Sequence, residues 1–138
     1  MVIIYFATAI GGNLYGTWTS TSLAVGSSTA INGLLGCFIA YIIVNWNRID
    51  PNLRCMMVCM ISFVVMMNLI LGLAGKNAAQ SQADHAGHFG GLVSGVLVGM
   101  MLVIPNGGNP GSYEKKVKLY GQILTSAYFV LITIFIYT

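Results

Sequence analysis

Long apolar runs alternate with short polar islands along this chain, and most of the runs approach the length of a bilayer crossing. Apolar residues dominate from about Val2 to Leu14, Ser28 to Trp46, Cys55 to Ala74, Ala86 to Ile104 and Leu119 to Tyr137. A crossing helix needs about 20 residues. The last four runs therefore predict transmembrane helices. The first reaches that length only by borrowing Tyr15 to Trp18 at the interface, which predicts that the chain begins inside a longer helix. The intervening islands are Gly16 to Ser22, Asn47 to Leu53 with Pro51 as a breaker, Gly75 to Asp84, and Asn106 to Lys118 with Pro110. Trp18 suits a membrane–water interface. The pattern predicts an all-α, polytopic transmembrane helix bundle of about five spans, with residues 1–138 forming a single membrane domain.

Composition sharpens this picture. Only 7% of the residues are charged, against about 25% in a soluble domain, and the mean hydropathy is +0.81. That is too little charge to clothe a soluble surface. The net charge of +3 is no nucleic-acid footprint, because the basic residues sit in loops between spans. The chain is expected to partner membrane lipid and not nucleic acid. Cys37, Cys55 and Cys59 lie in or beside apolar runs and read as buried small hydrophobes. The first run has no basic leader region, so it does not read as a signal peptide.

Charge also orients the spans. Arg48 and Arg54 flank the second connection, and Lys115, Lys116 and Lys118 lie in the fourth. The opposite side carries only Lys76, offset by Asp84. Basic loops stay in the cytosol. The islands that open the second and fourth spans then share the extracellular or lumenal face.

Those two islands carry the candidate chemistry. The first is Val25-Gly26-Ser27-Ser28-Thr29-Ala30-Ile31-Asn32-Gly33, and the second is Asp84-His85-Ala86-Gly87-His88-Phe89-Gly90-Gly91. A helix leaves its first N–H groups unpaired, and its dipole favours negative charge there. A serine at that point can attack a carbonyl while the N–H groups hold the oxyanion. Gly26 leaves room for backbone approach. Equally, Ser27 or Ser28 serves as an N-cap, which serine favours. In the second island, Gly87, Gly91, Gly95 and Gly99 recur every four residues and predict a ridge along which another helix packs closely. His88 borders that ridge. If the neighbour is the second span, its imidazole can take the Ser28 proton; otherwise it makes a structural interhelical hydrogen bond. Asp84 reads as an N-cap or as a group orienting His88. His85 and His88 alone fall short of the three or four ligands zinc requires.

Taken together, these residues resemble a known family. Gly26-Ser27-Ser28-Thr29-Ala30 followed by Gly33 resembles the Gly-x-Ser motif of the rhomboid intramembrane serine proteases. His88-Phe89-Gly90-Gly91 with Gly95 resembles the family's His-x-x-Gly-x-x-x-Gly helix, and Ile4-Tyr5 through Gly11-Gly12-Asn13-Leu14 looks like the helix preceding the serine motif. The resemblance covers nearly the whole chain. It implies a dyad with Ser28 as nucleophile and His88 as general base, and with backbone N–H groups around Ser27 and Ser28 in the oxyanion hole. It implies no metal or cofactor, and transmembrane proteins as substrates. Asp84 then has no catalytic part. The last span would be the extra C-terminal helix of the eukaryote-type members.

Three departures accompany the match. Thr29 stands where the family often has Gly, and Asn32 where it often has an aromatic ring against the histidine. The family's earlier His-x-x-x-Asn helix has no counterpart, since no His precedes His85. The resemblance therefore implies an N-terminally incomplete member whose first two helices lie outside this sequence. The competing expectation is a rhomboid-like pseudoprotease that binds membrane-protein partners without cutting them.

Overall fold

A computed structural model describes residues 2–19, 27–75 and 85–137, with side chains omitted for 71–75. Among the described residues five helices follow one another: α1 (Val2–Thr19), α2 (Ser27–Val44), α3 (Pro51–Gly75), α4 (His85–Leu102) and α5 (Ser112–Tyr137). Among the described residues α2, α3, α4 and α5 are long and apolar enough to cross a membrane. The remaining helix, α1, is diluted by Gly11, Gly12, Asn13, Gly16 and three threonines.

Helix boundaries differ from the hydropathy pattern where polar side chains serve the helix itself. α1 continues past Leu14 to Thr19, and there Thr17 donates to the Leu14 carbonyl at 2.9 Å and Thr19 to that of Tyr15 at 2.9 Å. Such back-bonding gives each hydroxyl a partner within the helix. α3 begins at Pro51, not beyond it. Proline fits the first helical position, where no N–H is needed, and the Asp50 carboxylate caps the Asn52 N–H at 2.9 Å. α5 starts at Ser112, so the three lysines lie on its first turns.

The centre of the bundle is made of close backbone approach and not of large side chains. α4 lies between α1 and α2. A Cβ at Gly91 would run into the Thr29 carbonyl, one at Gly95 into the Gly33 carbonyl, and one at Gly99 would meet Ala40 at 2.6 Å. All three contacts are with α2. Thr8 of α1 fills the space beside Gly33. Gly87, the fourth of the spaced glycines, meets α1 instead, with its carbonyl 2.9 Å from where a Gly12 side chain would begin. Small residues are what let apolar helices pack without a hydrophobic driving force between them.

α3 stands apart. It joins α2 through a cluster of Ile42, Ile49 and Ile61, packed against Phe38, Met57 and Val65. Met56, Met60, Phe63, Met66 and Leu69 are exposed and form a surface suited to lipid. Cys55 and Cys59 are exposed there too, contrary to the burial expected from their apolar surroundings; only Cys37 is buried, and all three are free. The reason is that α3 turns most of its circumference away from the protein.

At the end of the bundle opposite Ser28, a polar cap ties α2 to α5. Arg48 pairs with Glu114 at 2.7 Å, donates to Asn109 O at 2.8 Å, and also donates to Asn106 O. Fully buried Asn45 accepts from the Asn106 N–H at 2.6 Å. The loop between α4 and α5 turns through Gly107 and Gly108, whose φ angles of 91° and 81° favour glycine.

Candidate active site

Ser28 lies in the first turn of α2, where helix N–H groups have no intrahelical acceptor. His88 lies in the first turn of α4. The glycine contacts that seat α4 on α2 bring these two starts side by side. His88 Nε2 is 2.8 Å from Ser28 Oγ, within hydrogen-bonding range. With the ring proton on Nδ1, the serine hydroxyl donates to Nε2. Ser28 is exposed and His88 partly so, which leaves the pair open to an incoming chain.

The surroundings fix the pair from several sides. Asn32, one turn beyond Ser28, donates to the Ser28 carbonyl at 3.0 Å. Its amide thus occupies the helix face that an aromatic ring was expected to fill. Below the pair sits Gly12 of α1: a side chain there would run into the Thr29 methyl and approach the Gly91 nitrogen to 2.7 Å. Ser94, fully buried, donates to Gly91 O at 3.0 Å and reaches Thr8 O of α1 at 3.3 Å. Phe89 leans its ring toward Tyr15 at 6.0 Å between centroids.

The other sequence candidates fall into distinct places. Ser27 is the exposed first residue of α2. Gly26 and Asp84 lie outside the described residues. Gly91, Gly95 and Gly99 pack on α2, while Gly87 serves the α1 contact. His85 sets its ring edge-on to that of His88, 6.4 Å between centroids, and its buried Nε2 has no partner among the described residues. Among the described residues no group of three His, Cys, Asp or Glu is gathered as a metal would need.

Sequence reasoning missed the residues that hold the pair from below. Gly12 could have been found, since the doublet Gly11-Gly12 interrupts an apolar helix as the α4 glycines do. Tyr128 could not: it sits in an uninterrupted apolar run, and only the fold reveals that its hydroxyl reaches Gly11 O at 3.1 Å.

Fold and site together define an integral, multi-pass helical membrane protein in which a serine and a histidine from two helices meet at one end of the bundle. The rhomboid domain model matches residues 1–105, and the chain belongs to the rhomboid family. Rhomboid-like protease 1 of Toxoplasma gondii is 38% identical over 100 residues, which are 71% of this chain and 32% of that protein. RHOMBOID-like protein 4 of Arabidopsis thaliana is 30% identical over 143 aligned residues, covering 97% of this chain and 34% of that protein. Rhomboid-like protease 2 of Toxoplasma gondii is 27% identical over 140 aligned residues, covering 99% and 46%. The chain thus spans between about a third and a half of the length of these relatives. No solved structure matches it.

Proposed function

We propose that residues 1–138 form one membrane domain of an intramembrane serine endopeptidase that cleaves transmembrane proteins, with Ser28 as nucleophile and His88 as general base. The observation that carries this reading is the 2.8 Å approach of His88 Nε2 to Ser28 Oγ. Nucleophile and base must stand within that reach of each other. Family membership supports it, and so do relatives that bear the name protease.

The chemistry follows from the positions. Ser28 Oγ attacks a substrate carbonyl as its proton passes to His88 Nε2. The oxyanion that forms lies at the start of α2, where free N–H groups and the helix dipole stabilise it. The amine leaves with the proton returned from His88, and Ser28 holds the acyl group as an ester. Water, deprotonated by His88, then frees the carboxylate product and restores the serine. No metal or cofactor enters. A regular helix hides its carbonyls in its own hydrogen bonds, so the favoured substrates are those whose helix breaks near the membrane surface. The basic residues Arg48, Arg54, Lys115, Lys116 and Lys118 lie toward the end of the bundle opposite Ser28. By the positive-inside rule the site then faces the extracellular or lumenal side.

The test is cleavage of a reporter transmembrane substrate by the full-length protein in liposomes. Ser28→Ala and His88→Ala are each expected to lower kcat by about 10⁶-fold, the scale seen for nucleophile and base in a serine protease. A fluorophosphonate is expected to label Ser28. Cleavage by either variant at the unmodified rate, or labelling elsewhere, removes the dyad. A protein that captures substrate equally well with and without Ser28, and never cuts it, is the pseudoprotease instead.

A further inference from the structure

α5 lies beyond the residues that the rhomboid model matches, and the chemistry above does not use it. One of its side chains nevertheless reaches the ground beneath Ser28 and His88. The hydroxyl of half-buried Tyr128 donates to the Gly11 carbonyl of α1 at 3.1 Å and stands 3.5 Å from the Gly90 carbonyl of α4. Carbonyl oxygens have two lone pairs, so the hydroxyl adds to the helices' own bonds and does not replace them. What it adds is a tie between three helices at one point.

That point is next to the site on both sides. Gly90 is two residues past His88. Gly11 precedes Gly12, the α1 residue lodged against Thr29, Gly87 and Gly91. Thr29 follows Ser28, and Gly87 precedes His88. α1 is therefore a wedge against the residues next to both reacting side chains, and Tyr128 is bonded to the wedge. Its neighbour Phe129 closes the same face, 3.3 Å from where a Gly11 side chain would begin. Further along α5 the only ring contact with α1 among the described residues is Phe135 stacked on Trp18, 5.4 Å between centroids. That contact lies at Trp18, six residues past Gly12 in α1.

We propose that Tyr128 is a positioning residue for the dyad: its hydroxyl holds the α1 wedge and the His88-bearing turn to α5, and so sets the approach of His88 to Ser28. The inference rests on the function proposed above.

The experiment compares the full-length protein in liposomes with Tyr128→Phe, Phe135→Leu and Ser28→Ala. Tyr128→Phe keeps the ring and removes only the hydroxyl. It is expected to lower kcat about three- to tenfold, the size of one net or interhelical hydrogen bond, with KM unchanged. The rate at which a fluorophosphonate labels Ser28 is expected to fall in step. Phe135→Leu loosens α5 at the Trp18 contact and is expected to lower both by clearly less than Tyr128→Phe does. Unmodified kcat and labelling in Tyr128→Phe overturn the proposal, as does an equal loss in Phe135→Leu. Cleavage by Ser28→Ala overturns the nucleophile assignment itself, which keeps the two failures apart.

Discussion

At Gly95 a hydrogen stands where any other residue would drive a methyl group into the Gly33 carbonyl. The obstacle is backbone, with no flexible side chain to yield. Gly95→Ala must therefore push α4 off α2, and overpacking of this kind costs about 1–3 kcal/mol. We expect a lower Tm in detergent and at least a tenfold loss of cleavage, because separation at Gly95 also parts His88 from Ser28. A Gly95→Ala protein with unmodified Tm and activity would show that the two helices are not seated as described. This part of the site was legible in the sequence, since a repeat of four is the period of a helix face. What the repeat could not tell was the partner of each glycine. Gly87 answers to α1 because Gly12 of α1 packs against the start of α4, and the identity of a partner helix leaves no trace in spacing. Asn32 was legible as a departure. That its amide turns back to the Ser28 carbonyl, and leaves the ring's place to a short polar group, is a matter of rotamer.

Some helix ends are set by the chemistry there and not by where hydropathy falls. Pro51 reads as a breaker between two runs, yet it opens α3 with Asp50 capping behind it. Arg48 shows the same gap between pattern and structure. Counted along the chain it is a marker of the cytosolic side. In the fold it binds Glu114 and the carbonyls of Asn106 and Asn109, and so joins the end of α2 to the start of α5. The sequence separation of these partners hid the pairing. Arg48→Gln leaves the Glu114 carboxylate, whose side chain is 7% exposed, without its counter-charge, and uncompensated burial of a charge is destabilising. The expected outcome is a lower Tm that is recovered in the double variant Arg48→Gln, Glu114→Gln. Failure of the second change to restore stability would mean that the carbonyl contacts, and not the ion pair, hold this end together.

Across the whole molecule, orientation governs which side of the membrane sees Ser28. Lys116→Cys, placed in the full-length protein with Cys37, Cys55 and Cys59 replaced by serine, is expected to resist a membrane-impermeant maleimide applied to intact cells and to react once the membrane is opened. Labelling from outside would invert the bundle. Among the described residues the number of helices and their order could be read from the runs, because each apolar run is one helix. Their lengths carry a further consequence. α2 and α4 have 18 residues each, a rise of about 27 Å, already short of a hydrocarbon layer of about 30 Å. Their first two turns are then given over to Ser27, Ser28, Thr29 and Asn32 in one helix and His85 and His88 in the other. The greasy remainder of the inner pair is much shorter than the oily slab around it. On the function proposed above, water must then reach lower inside the bundle than around it, as a well sinks below the ground it is dug in, to meet Ser28 and His88.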